Sequence, residues 1–98
     1  MWILQSAQPD EALTFRLVPG AIKTVGRAPR ADFIVDRALV SRLHCRITAG
    51  DDNLEVVDLS STNGTYVNDK RVKRAELRNG DRLRVGRIEL LVEKKNPD

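Results

Sequence analysis

The chain has 98 residues, with 17 Lys and Arg against 14 Asp and Glu for a formal net charge of +3, a length that fits one small domain. It contains one Cys and one His, which excludes an internal disulfide and a Cys/His zinc cage built within one chain. With 41% apolar and 32% charged residues the composition is that of a folded domain rather than a disordered one, and it lacks the long apolar run of a membrane-spanning helix.

From the N-terminus, strand-like stretches run over Trp2–Leu4, Thr14–Val18, Ile22–Val25, Phe33–Val35, Leu43–Ala49, Leu54–Leu59, Thr65–Val67, Arg82–Val85 and Ile88–Val92. The dipeptides Pro9-Asp10, Pro19-Gly20, Gly50-Asp51, Asn63-Gly64 and Asn79-Gly80 punctuate them as turns. Asn63-Gly64 and Asn79-Gly80 carry the favoured pair for a tight hairpin. Leu43, Cys45, Ile47 and Ala49 alternate with His44, Arg46 and Thr48, so the first set, Cys45 included, is expected in the core. Leu83 and Val85 alternate with Arg82 and Arg84; Ile88, Leu90 and Val92 alternate with Glu89 and Glu93, and Leu91 breaks that pattern. No segment keeps a helical period over three turns. Many short strands with frequent turns predict an all-β sandwich or barrel.

The run Lys70-Arg71-Val72-Lys73-Arg74 reads as a solvated edge strand whose charges resist aggregation; attraction of acidic groups on a partner is the competing reading. The opening Met1–Gln5 lacks the basic flank of a signal peptide. The apolar pattern fades at the other end, so 1–93 reads as the domain and 94–98 as the start of a linker, one module of a longer protein.

Three polar clusters lie at strand ends, where binding sites concentrate. These are Gly26-Arg27, Ser41-Arg42-Leu43-His44 and Ser61-Thr62-Asn63-Gly64-Thr65. Brought to one end of a sandwich, they would gather guanidinium groups, hydroxyls and a carboxamide, with no acid among them. That set suits a phosphate. Ser41, His44 and Asp58 also supply the residue types of a hydrolase. In extended backbone, however, residues three apart point to opposite faces, and the Gly-x-Ser-x-Gly elbow is missing. A nucleic-acid binder is disfavoured because acids interleave with the bases and only Trp2, Phe15, Phe33 and Tyr66 are aromatic.

The order Gly26-Arg27, Ser41-Arg42-Leu43-His44, Ser61 to Asn68, Asn79-Gly80-Asp81 and Val85-Gly86 resembles the forkhead-associated (FHA) domain from about Trp2 to Val92. The resemblance implies a β-sandwich of about eleven short, mostly antiparallel strands with binding loops at one end. It implies a phosphothreonine-binding module with no catalytic activity, metal or cofactor. Carried over by position, Arg27, Ser41, Arg42, Thr62, Asn63 and Asn68 are the phosphopeptide-binding residues, with Asn68 either touching peptide or supporting the loop. Gly26, His44 and Gly64 support the site. Peptide preference beyond the phosphothreonine would fall to Arg30, Arg37, Leu39, Asn68 or Lys70. Partners are phosphothreonine-containing proteins, with no membrane and no direct nucleic-acid contact. Met1-Trp2, Phe15 to Val18 and Val25-Gly26-Arg27 further resemble the opening of nibrin-type DNA-damage adaptors. That likeness implies acidic, multiply phosphorylated DNA-repair partners and an intracellular, nuclear location. The alternatives are a phospho-independent interaction or dimerisation module and, behind it, a basic nucleic-acid-binding domain.

Overall fold

The computed structural model describes residues 1–8 and 12–95, and within them the apolar alternation becomes eleven strands. In chain order these are β1 (Trp2–Ser6), β2 (Thr14–Leu17), β3 (Ile22–Gly26), β4 (Phe33–Ile34), β5 (Cys45–Ala49), β6 (Leu54–Asp58), β7 (Thr65–Val67), β8 (Lys70–Val72), β9 (Arg74–Leu77), β10 (Arg82–Val85) and β11 (Ile88–Lys94). They form a six-stranded sheet ordered β2-β1-β11-β10-β7-β8 and a five-stranded sheet ordered β4-β3-β5-β6-β9. Every pair is antiparallel except β3 with β4. The Pro9-Asp10 turn lies outside the described residues.

The core fills the space between the two inner faces. Trp2, Leu4, Leu17, Leu83, Leu90 and Val92 come from one sheet, and Val25, Ile47, Leu54, Val56 and Leu77 from the other; all are buried. Each fully buried Leu or Ile contributes on the order of 1.5–3 kcal/mol. The period-two strands obey their alternation: Cys45, Ile47 and Ala49 point inward, Arg46 and Thr48 outward. Leu91 is one of the exposed apolar residues, because its neighbours Leu90 and Val92 take the inner face of β11. Trp2 Nε1 crosses the sandwich to donate to Gly50 O at 2.9 Å. At the open side, Phe15 of β2 stacks on Phe33 of β4, with ring centroids 4.5 Å apart.

Three results differ from the expectation. Strand β9 is additional to the stretches read from the sequence, because Arg74–Leu77 offers only two apolar side chains; β8 is the edge strand expected from the basic run, although it stops at Val72. Neither Asn63-Gly64 nor Asn79-Gly80 closes a hairpin: the first joins β6 to β7 and the second β9 to β10, and each connection passes from one sheet to the other. Strand β11 continues through Lys94, one residue past the expected domain edge, and Lys95 N–H donates to Met1 O at 2.8 Å. The hairpin that does occur between β7 and β8 turns on Asn68 and Asp69, both left-handed (φ 50° and 69°), as a two-residue hairpin loop requires.

Candidate functional site

The C-terminal ends of β3, β6 and β10 and the N-terminal ends of β5 and β7 lie together, which brings the three polar clusters to one end of the sandwich. Gly26 closes β3 against the segment 41–43. Arg27 N–H donates to Ser41 O at 2.9 Å and Ala28 N–H to Arg42 O at 3.0 Å. A Cβ at Gly26 would stand 2.1 Å from Arg42 O and 2.8 Å from its carbonyl carbon, so only glycine permits this approach.

An open cleft of about 620 Å³ lies above this contact. Arg27, Ser41, Arg42, Thr62 and Asn63 line it, together with the apolar Leu39, Val40 and Leu43, and no acid among the described residues does. Arg27 uses its Nε on Val40 O at 3.1 Å, which fixes the guanidinium while leaving its terminal nitrogens available. Ser41 Oγ accepts from Thr62 N–H at 3.0 Å, so its own hydrogen is not spent on that bond. Asn63 Nδ2 donates to Leu39 O at 3.0 Å, which leaves its Oδ1 as an acceptor. Leu39 is held left-handed at φ 73°, a conformation that costs a non-glycine residue on the order of 1 kcal/mol or more. Gly86 makes room for it, since a Cβ there would meet Val40 Cγ2 at 3.0 Å and the Leu39 carbonyl carbon at 3.1 Å.

A family model described as FHA domain matches residues 23–86. The chain belongs to the FHA family. FHA domains are phosphothreonine-binding modules rather than enzymes. The FHA domain described here is 40% identical over 75 residues to the glycogen accumulation regulator GarA of Mycobacterium tuberculosis, covering 76% of this chain and 46% of that protein. It is 40% identical over 68 residues to an oxoglutarate dehydrogenase inhibitor of Corynebacterium diphtheriae, covering 69% and 48%. The chain thus spans about half the length of these relatives. Among solved structures it superposes with a TM-score of 0.88 and 32% identity, over 98% of both chains, on one from work on phosphothreonine-dependent FHA domain interactions. It superposes at 0.85 and 33%, over 95% and 100%, on the FhaA FHA domain complexed with the intracellular domain of Rv3910.

The expected likeness to nibrin-type DNA-damage adaptors finds no support: the two relatives above are bacterial proteins, and neither DNA-repair partners nor a nuclear location is supported. The residues behind that likeness explain why. Trp2 and Leu17 are buried and Phe15 packs against the core, so they report packing of an FHA sandwich and not which protein carries it.

In this FHA domain His44 is buried just before β5. Its Nδ1 accepts from Ser41 N–H at 3.0 Å, so its Nε2 carries the hydrogen and donates to Gly64 O at 2.8 Å. Both ring nitrogens are therefore committed to backbone, and none is left to activate the Ser41 hydroxyl. Asp58 is turned away from the cleft as well. Its carboxylate accepts from Ser61 Oγ, from Ser61 N–H at 3.1 Å and from Thr65 Oγ1 at 2.7 Å. Burial alone would push its pKa up; the two hydroxyls and the backbone N–H outweigh that and hold the carboxyl below its ordinary range. Ser61 Oγ in turn accepts from Gly64 N–H at 3.0 Å. Asp58, Ser61, Thr65 and Gly86 thus hold the loop, and sequence reading did not single them out for that task. The Asp58-x-x-Ser61 spacing is the one signal that could have pointed to such a clamp.

Asn68 stands apart from the other candidates, at the far end of β7 from Asn63. Its Nδ2 donates to Asp81 Oδ1 at 3.1 Å and its Oδ1 accepts from Arg82 N–H at 2.9 Å, so its amide ties the β7–β8 turn to the start of β10. Of the candidates for peptide preference, Leu39 lines the cleft; Arg30, Arg37, Asn68 and Lys70 do not. Cys45 is buried and its thiol is pushed up to about 12, first by burial and then by Asp58, which makes it unreactive.

Proposed function

We propose that this domain binds phosphothreonine-containing segments of partner proteins, as the recognition module of a bacterial regulatory protein. The observation that carries this reading is the cleft lined by Arg27, Ser41, Arg42, Thr62 and Asn63, with no acid among the described residues that line it. Arg27 and Arg42 supply the charge that offsets a dianionic phosphate, and the Ser41 and Thr62 hydroxyls donate to its oxygens. Asn63 Oδ1 accepts a peptide N–H beside the modified residue. Asn68 acts only through the β7–β8 hairpin. Charge-assisted bonds of this kind contribute on the order of 1.5–3 kcal/mol each, so a good peptide is expected to bind with micromolar affinity, about −8 kcal/mol. The reading places the domain inside the cell, where protein kinases mark their substrates. The test is calorimetric titration with a phosphothreonine peptide selected from an oriented library and with its unmodified twin. The modified peptide is expected to bind at least about tenfold tighter; equal affinities refute the reading.

A further inference from the structure

Across the Asn63–Gly64 turn from the cleft lies a further cation, Arg71. The pairing of Tyr66 with Arg71 on β7 and β8 brings this side chain to the outer face, beside the binding loop. The end of its side chain occupies the space beside Gly64. A Cβ at Gly64 would meet Arg71 Nε at 2.7 Å and Cζ at 3.0 Å, and Gly64 is left-handed at φ 90°. The glycine therefore serves two ends: it turns the chain and it provides the seat for this arginine. On the other flank of Tyr66, Arg84 covers the ring at 4.1 Å and donates to Gly86 O at 3.4 Å, so that guanidinium is already occupied. The acid of the adjoining hairpin turn is also taken, Asp69 by Arg82 at 3.5 Å. Arg71 is exposed and makes no hydrogen bond or ion pair among the described residues.

We propose that Arg71 is a specificity-determining residue, a second anion subsite that takes a negative group flanking the phosphothreonine of the same peptide. The inference rests on the phosphothreonine reading above and deepens it. A guanidinium already laid down on Gly64 loses less freedom on binding than a free surface arginine. Its five donors fit a carboxylate or a second phosphate bidentately. Lys70 and Lys73 flank it on the same strand and its exit, and neither is ion-paired among the described residues, so the local field favours an anion.

The experiment is a double-mutant cycle by calorimetry at low salt. A phosphothreonine parent peptide with alanine flanks is compared with versions carrying one Glu, or one further phosphothreonine, at each of the four positions on either side. At one of these positions Glu is expected to tighten binding about two- to fivefold and phosphate about tenfold. Arg71→Gln is expected to bring that ratio close to one, and Arg71→Lys to keep part of it. Arg78→Gln, at the opposite end of the sandwich, is expected to leave the ratio intact. A gain that survives Arg71→Gln, or that Arg78→Gln reduces equally, reflects diffuse attraction and overturns the proposal, as does a scan with no gain at any position. Failure of the parent to bind better than its unmodified twin refutes the phosphothreonine reading instead, and this subsite with it.

Discussion

Replacing His44 with alanine separates support of the site from contact with the ligand. The ring is fully buried and bridges Ser41 N–H, at 3.0 Å, and Gly64 O, at 2.8 Å. Its loss leaves the Gly64 carbonyl unpartnered in a buried place, at a cost of about 1–3 kcal/mol. The Ser41 N–H is only partly buried, so water recovers some of that bond. The cavity left by the ring adds roughly 1–2 kcal/mol. A total of about 2–5 kcal/mol is a large share of the stability of a domain of this size, and corresponds to a Tm lower by at least about 8 °C. Arg27→Ala is the contrast. Arg27 is exposed and, among the described residues, its side chain gives the fold only its bond to Val40 O, so about 1 kcal/mol or less is at stake, while phosphopeptide binding is expected to vanish. Melting curves followed by calorimetry well below each Tm make the comparison. If His44→Ala melts within about 3 °C of the parent yet no longer binds, the ring touches ligand and the account given for it is wrong.

Gly26→Ala forces the 41–43 segment away from β3; we expect a loss of about 2–4 kcal/mol in urea unfolding and binding weakened at least about tenfold, and unchanged binding would show that the segment yields without moving Ser41. Asp58 has a folded pKa below its unfolded one, so its stabilisation is present above about pH 4 and is lost as pH falls through the folded value. Asp58→Asn should therefore lower stability at neutral pH and flatten the acid limb of a Tm-against-pH curve; an equal acid limb in both proteins would place the titrating group elsewhere. Phosphothreonine and phosphoserine present the same phosphate to Arg27, Ser41 and Thr62. Leu39, Val40 and Leu43 give the cleft an apolar wall, and a methyl buried there is worth about 0.8 kcal/mol plus a cavity contribution. Matched peptides should differ by roughly 5- to 50-fold, and a difference below about threefold would mean the wall does not close on the methyl.

Local pattern alone determined much of this protein. Alternation assigned the inner face of β5, β10 and β11, down to the outward turn of Leu91, because side chains on a strand alternate whatever it pairs with. The three polar clusters were legible too, since Gly, Asn and hydroxyl residues between apolar runs mark the ends of strands. Tertiary structure decided which strand lies beside which. An Asn-Gly pair bends the chain but does not say whether it returns to the same sheet. At Asn63-Gly64 and Asn79-Gly80 it crosses to the other sheet, because the inner faces of β7 and β10 bury their apolar side chains there. Strand β8 was legible as an edge from its basic run, and packing decided its partner: β7 offers the backbone groups it pairs with. Gly26, His44 and Gly64 were expected as supports of the cleft from the family resemblance, but what each one holds was not legible. His44 reaches the carbonyl of Gly64, 20 positions away, and Gly86 leaves room for Val40, 46 positions away, and only the packed sandwich brings those groups within reach.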